Sequence, residues 1–157
     1  MNRKQKLVFL ALSLVGLVLA GTTAVVVYNM TRGLRNNNPG NIRKSATAWQ
    51  GLAPQQTDSA FFQFTDPLYG IRAMAHILTS YAARGVTTLQ DIIHTWAPPT
   101  ENDTAAYVRA VAADTGLDPA ATITVNEYPA LLAAIIHHEN GQQPYPMATI
   151  AQAVAMG

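Results

Sequence analysis

The chain changes character along its length. Residues 7–28, LVFLALSLVGLVLAGTTAVVVY, carry no charge at all. A helix needs roughly 20 apolar residues to cross a bilayer core, so this run predicts a membrane-spanning segment. Residues 29–34 read as linker, and the Asn- and Gly-rich run through Asn41 as a structured loop. Between Ala46 and Phe64, aromatic residues alternate with small and polar ones around Trp49, Gly51, Pro54 and Phe61-Phe62-Gln63-Phe64. That alternation predicts short strands or a hairpin.

From residue 66 the apolar spacing becomes helical. Asp66 can cap and Pro67 suits a first turn. Leu68, Ile71, Met74, Ile77, Leu78 and Tyr81 then share one face, with Gly85 as the stop. Thr88 opens a second helix with Leu89, Ile92, Ile93 and Trp96 inward, ended by Pro98-Pro99. Asp103 or Thr104 caps a third, with Tyr107, Val108 and Val111 inward and Gly116 as terminator. A fourth starts at Asn126 and runs through Leu131, Leu132, Ile135 and Ile136 to Gly141. Residues 146–156 form a short last helix. The pattern predicts a mainly α domain over residues 35–157, with a small β lobe.

Composition sharpens this division. The chain has 157 residues, enough for one ordinary domain. Charged residues make up 12%, about half the usual share, and hydrophobic residues 49%, which excludes a disordered polyelectrolyte. A formal net charge of +1 gives no reason to expect nucleic-acid binding. Cysteine is absent, so disulfides, thiolate metal sites and a cysteine nucleophile are excluded. Three of the ten basic residues, Arg3, Lys4 and Lys6, lie in the tail formed by residues 1–6. The remainder of the chain holds seven basic and nine acidic residues, a formal net of −2.

The basic tail favours an N-terminus left in the cytoplasm, although Arg32, Arg35, Arg43 and Lys44 on the far side weaken the bias. An anchor over residues 7–28 would hold the domain in the periplasm, from the host inner membrane or a virion membrane. The competing reading is a cleaved signal peptide with Thr22-Thr23-Ala24 at the cleavage site. The run continues through Val25-Val26-Val27, which favours the anchor.

Glu139 is the leading candidate for chemistry. Ile135, Leu132 and Leu131 precede it by four, seven and eight positions, placing it on the apolar stripe of its helix. It also sits at the helix C-terminus, the negative end of the dipole. Burial and dipole both disfavour a charged carboxyl there, as a general acid for glycosidic cleavage requires. The plainer role is a structural carboxylate bonded to Asn side chains or backbone N–H groups of the Arg35–Asn41 loop. Glu101, ahead of the third helix, and Asp58, beside the aromatic cluster, are candidate second carboxylates that could hold water or stabilise charge. Each also has a plain role, in a helix N-terminus and a turn. Asn36-Asn37-Asn38-Pro39-Gly40-Asn41 offers four amides in six residues for a polar ligand such as a sugar. Asn38, Asn41, Tyr107 and Gln143 are candidate substrate contacts; Trp49, Trp96 and Tyr69 are further aromatic faces. His137 and His138 lack the spacing of a metal motif, and no metal or cofactor is expected. Ser45, Ser59 and Ser80 lack a nucleophile-elbow setting.

The stretch RGLRNNNPGNIRKSATAWQGLAPQQTDSAFFQFTDPLYGIRAMAHILTSYAARG, with WAPPTENDTAAYV and IIHHENGQQPY, resembles a family of phage and prophage virion proteins and lytic enzymes with a lysozyme-like fold. The resemblance covers residues 32–146. It implies a lysozyme-like α+β fold and a peptidoglycan-cleaving activity used to enter the host or to lyse it. A looser likeness to bacterial glucosaminidases lies in Asn37-Asn38-Pro39-Gly40-Asn41-Ile42-Arg43, Trp49-Gln50-Gly51, Thr57-Asp58, Phe61 with Phe64, and the following helix that ends in Tyr81. In those enzymes the catalytic glutamate precedes this block; here the Glu139 helix follows it, which implies a circular permutation. The implied partners are glycan strands, a bilayer through residues 7–28 and other virion proteins. Two other roles stay open: a virion structural protein that binds peptidoglycan without cutting it, and an endolysin released from its anchor.

Overall fold

The structure, a computed structural model, describes residues 30–157. The expected anchor over residues 7–28 lies outside the described residues. Among the described residues no helix is long and apolar enough to cross a membrane.

Six helices are described: α1 (Arg32–Arg35), α2 (Pro67–Ala82), α3 (Leu89–Trp96), α4 (Thr104–Thr115), α5 (Tyr128–Asn140) and α6 (Met147–Ala155). The domain is therefore mainly α. The start signals act as their chemistry requires. Asp66 accepts from the Leu68 amide at 2.8 Å and Asp103 from the Ala106 amide at 2.9 Å. Thr88 accepts from the Asp91 amide at 3.2 Å and donates its hydroxyl to the Asp91 carboxylate. Gly116 and Gly141 close α4 and α5 in the left-handed conformation, φ +72° and +67°.

α5 is the central element and packs against α1, α2, α4 and α6. Leu131, Leu132, Ile135 and Ile136 are fully buried along it, and Ala134 nearly so. Burying each large aliphatic side chain contributes about 1.5–3 kcal/mol. Ile71, Met74 and Leu78 of α2, Leu89 and Ile93 of α3, Val111 of α4 and Ile150 of α6 complete the core. A second, smaller cluster of Phe62, Phe64 and Ala73 takes in Ile42, Trp49, Leu52 and Tyr69.

Three expectations are corrected. The fourth predicted helix begins at Tyr128 rather than Asn126, because Glu127 folds back onto the Thr124 amide and hydroxyl and makes a turn of the residues between. Residues 31–34, expected as linker, belong to the domain: Thr31 caps α1, and Gly33 and Leu34 are buried. The β lobe is absent as a sheet. Only isolated antiparallel bridges, Arg43 to Phe61 and Leu52 to Phe64, cross the expected strand region.

Side chains take the place of a strand ladder there. Asn38 donates to the Ile42 and Phe62 carbonyls at 3.0 and 2.9 Å and accepts from the Ile42 amide at 2.9 Å. Gln56 donates to the Ala53 and Gln63 carbonyls and accepts from the Gln63 amide. Asp58 accepts from the Ala60 and Phe61 amides, both at 2.9 Å. These bonds supplement a few backbone pairings, such as the Phe62 amide to the Ile42 carbonyl and the Ala53 amide to the Gln63 carbonyl, which stop short of a continuous ladder.

Candidate functional site

Glu139 is the penultimate residue of α5 and is half-buried. Its two oxygens are held by residues from two separate parts of the sequence. Oε2 accepts from the Asn41 side-chain amide at 2.9 Å, and Oε1 accepts from the Tyr107 hydroxyl at 2.9 Å. Asn41 reaches it because the backbone there is left-handed, φ +49°, which asparagine tolerates better than most residues. Gly33 makes room: a Cβ at that position would lie 2.7 Å from Asn41 Oδ1 and 2.8 Å from Asn140 Oδ1.

The next residue fixes the same junction. Asn140 is buried, donates to the Pro39 carbonyl at 2.8 Å and accepts from the Thr31 hydroxyl at 2.5 Å. The loop of residues 36–41 is thus fastened to the end of α5 by two adjacent side chains.

Tyr107 comes from α4 and is 2% exposed. Burial, then the Glu139 carboxylate beside it and the bond to it, push the phenol well above its ordinary range. The shift favours the neutral phenol, the form that donates. The His138 ring stacks on it, with centroids 3.6 Å apart and planes at 19°.

Glu139 opens onto a groove of about 550 Å³. Gly40, Asn41, Ile42 and Arg43 form one stretch of its lining, Phe61, Tyr81 and Trp96 contribute aromatic surface, and Glu101 and Asn102 lie along it as well. Gly40 is required there: a Cβ would sit 2.8 Å from Met74 Cγ and 2.9 Å from Trp96 Cζ2. Glu101 is exposed and meets Arg43 Nη2 at 3.3 Å.

The groove therefore gathers Glu139, Glu101 and Asn41. Tyr107 belongs to the same site from beneath, as a support of the carboxyl rather than part of the lining. The other candidates fall elsewhere. Asp58 does not line the groove. Arg32 grips it through Nε and Nη2, both at 2.7 Å, and Asn36 and two backbone amides use its remaining capacity. The Arg32 guanidinium first, then those hydrogen bonds, hold its carboxyl far below the usual carboxylate range. Asn38 is fully buried and spends its amide on backbone groups. Gln143 accepts from the Tyr145 amide and lines a separate hollow with His137 and Asp114. Of the aromatic candidates Trp96 lines the groove, while Trp49 and Tyr69 pack in the smaller cluster.

Arg43 and Phe61 were not among the candidates. Arg43 follows Asn41 by two residues, but the left-handed backbone at Asn41 breaks the alternation that would have linked the two, so position did not mark it. Phe61 reaches the groove through its bridge partner Arg43, a pairing no local pattern reveals.

No family model matches the chain. It is 42% identical over 118 residues to Protein P5 of Pseudoalteromonas phage PM2, across 73% of this chain and 74% of that protein. At that identity and coverage, the chain belongs to the family of the phage PM2 Protein P5.

Proposed function

We propose that this is a phage-type peptidoglycan glycosidase, with Glu139 as the acid that protonates the glycosidic oxygen between N-acetylglucosamine and N-acetylmuramic acid. The observation that carries the reading is a carboxyl fixed by Tyr107 and Asn41 at the edge of an open, aromatic-sided groove. A carboxylate offers about four lone-pair positions, so one bond to each oxygen leaves room for a proton aimed at a ligand. With the leaving group protonated, departure is completed by intramolecular attack from the sugar, as in a lytic transglycosylase, or by water held at Glu101, as in a hydrolase. Asp58 has no part in the step.

The reading takes a lysozyme-like, circularly permuted fold as its frame, anchored through residues 7–28 with the domain in the periplasm. The phage relative supports the setting, in which the enzyme serves entry into the host or its lysis.

Zymography with the detergent-solubilised full chain on purified cell walls tests it. Glu139→Gln keeps the shape and removes the proton, and clearing should fall by about 10²-fold or more. Clearing that survives the substitution refutes Glu139 as the acid. The masses of released muropeptides separate anhydro ends from reducing ends and so choose between the two completions.

One observation favours a second reading. Both Glu139 oxygens are already engaged, as suits a carboxylate whose task is to tie α5 to α4 and the loop. A virion protein that binds peptidoglycan without cutting it would keep this tie. It would pull down cell walls, release no fragments, and behave alike with Glu or Gln at position 139.

A further inference from the structure

Among the described residues Arg43 is the one cation lining the groove, against two carboxylates, Glu101 and Glu139. Its guanidinium carbon lies 5.5 Å from the centroid of the Phe61 ring. Arg32 lies 4.6 Å from the same ring. The two arginines differ in how they are satisfied. Arg32 makes a two-point grip on Asp58 with both bonds at 2.7 Å. Arg43 has a single 3.3 Å contact to Glu101, with the two side chains 69% and 65% exposed. An exposed one-point pair of this kind is weak, while a planar guanidinium facing a carboxylate in fork geometry makes a much stronger contact.

We infer that Arg43 is the specificity residue of the groove: it takes a carboxylate carried on the bound glycan strand, giving up Glu101 to do so. The inference rests on the glycan reading of the same groove. Phe61 holds the guanidinium plane near the lining while the weak pair to Glu101 keeps it in place until a ligand arrives. Exchange has a second effect. Glu101 leaves Arg43 as the strand's carboxylate replaces it, so a free second carboxylate appears in the groove only when a charged strand is present. The ligand's carboxylate has two sources, the lactyl group of a strand stripped of peptide and the peptide stem itself.

The test is binding by the full-length Glu139→Gln chain, which holds strands without cutting them. Three ligands of matched length are compared: a neutral N-acetylglucosamine oligomer, a stripped strand with free lactyl carboxylates, and a peptide-bearing strand. Arg43→Gln should weaken binding of a carboxylated strand by about tenfold or more and change the neutral oligomer far less. Arg43→Lys keeps the charge without the fork and should fall between. Glu101→Gln removes the internal competitor and should tighten the same strand by about two- to fivefold, an effect that a merely structural Arg43–Glu101 pair would not produce. Whichever carboxylated strand shows the Arg43 effect identifies the source. If all ligands bind and Arg43→Gln weakens them equally, or Glu101→Gln weakens the charged strands, the assignment to Arg43 is overturned while the glycan reading stands. If no ligand binds, the glycan reading itself fails and takes this one with it. Arg43 is exposed, so thermal unfolding of each variant should match the parent.

Discussion

Tyr107 shows how a buried residue can govern an accessible one. Its setting disfavours ionisation, and the hydroxyl donates to Glu139 Oε1. Tyr107→Phe removes that donor and leaves the ring stacked on His138. An intramolecular hydrogen bond contributes about 0.5–1.5 kcal/mol net, so urea unfolding should register a loss near the low end of that range, because half-buried Glu139 can regain water. Glu139 itself was legible from its position on the apolar stripe at the end of a helix. Arg32, Asn36 and the backbone amides of Ala60 and Phe61 claim Asp58, and the Ile42 and Phe62 carbonyls claim Asn38. Half of those partners, Arg32, Asn36 and Phe62, are distant in sequence. Nothing near Asp58 or Asn38 in the chain distinguishes a side chain spent on backbone from one left for a ligand.

At the level of elements, the helices were readable because each is specified locally, by a cap, an apolar period and a terminator. Asp66 with Pro67, Thr88 with Asp91, and Asp103 with Gly116 all act within a few residues of themselves. The region between Asn36 and Phe64 differs from the expected hairpin because side-chain amides and one carboxylate aimed at backbone share the work with scattered backbone pairings. Alternating aromatics predicted strands; the pairings that form stop short of a continuous ladder. This loop meets α2 at Gly70, where a Cβ would lie 2.0 Å from the Asn37 carbonyl oxygen. Both partners are backbone, so neither can turn aside. Gly70→Ala should cost about 3 kcal/mol or more, at or beyond the upper end of ordinary overpacking, and chemical denaturation would show it. A near-neutral result would mean that the loop does not sit against α2 as described.

For the molecule as a whole, the Arg32–Asp58 pair makes stability depend on pH. The folded state holds the Asp58 carboxyl below its ordinary value of 3.8, so its contribution is complete above that value and is lost progressively as pH falls below it. Asp58→Asn should be less stable than the parent at neutral pH, and the gap should narrow as pH drops from about 5 to about 2. Parallel denaturation curves across that window would show that Asp58 is not held in this way. Overall helical content was legible from sequence, because it sums local signals. The packing of a groove between residues far apart in the chain was not.

Asn41 and Glu139 are 98 residues apart, yet they share one hydrogen bond. Translation proceeds from the N-terminus, so a nascent chain that has emerged through α4 already carries Asn41 and Tyr107 but not the carboxyl that they hold. On the reading proposed above, a copy that still lacks α5 has no acid and is inert, so the order of synthesis imposes a delay that no separate inhibitor has to supply.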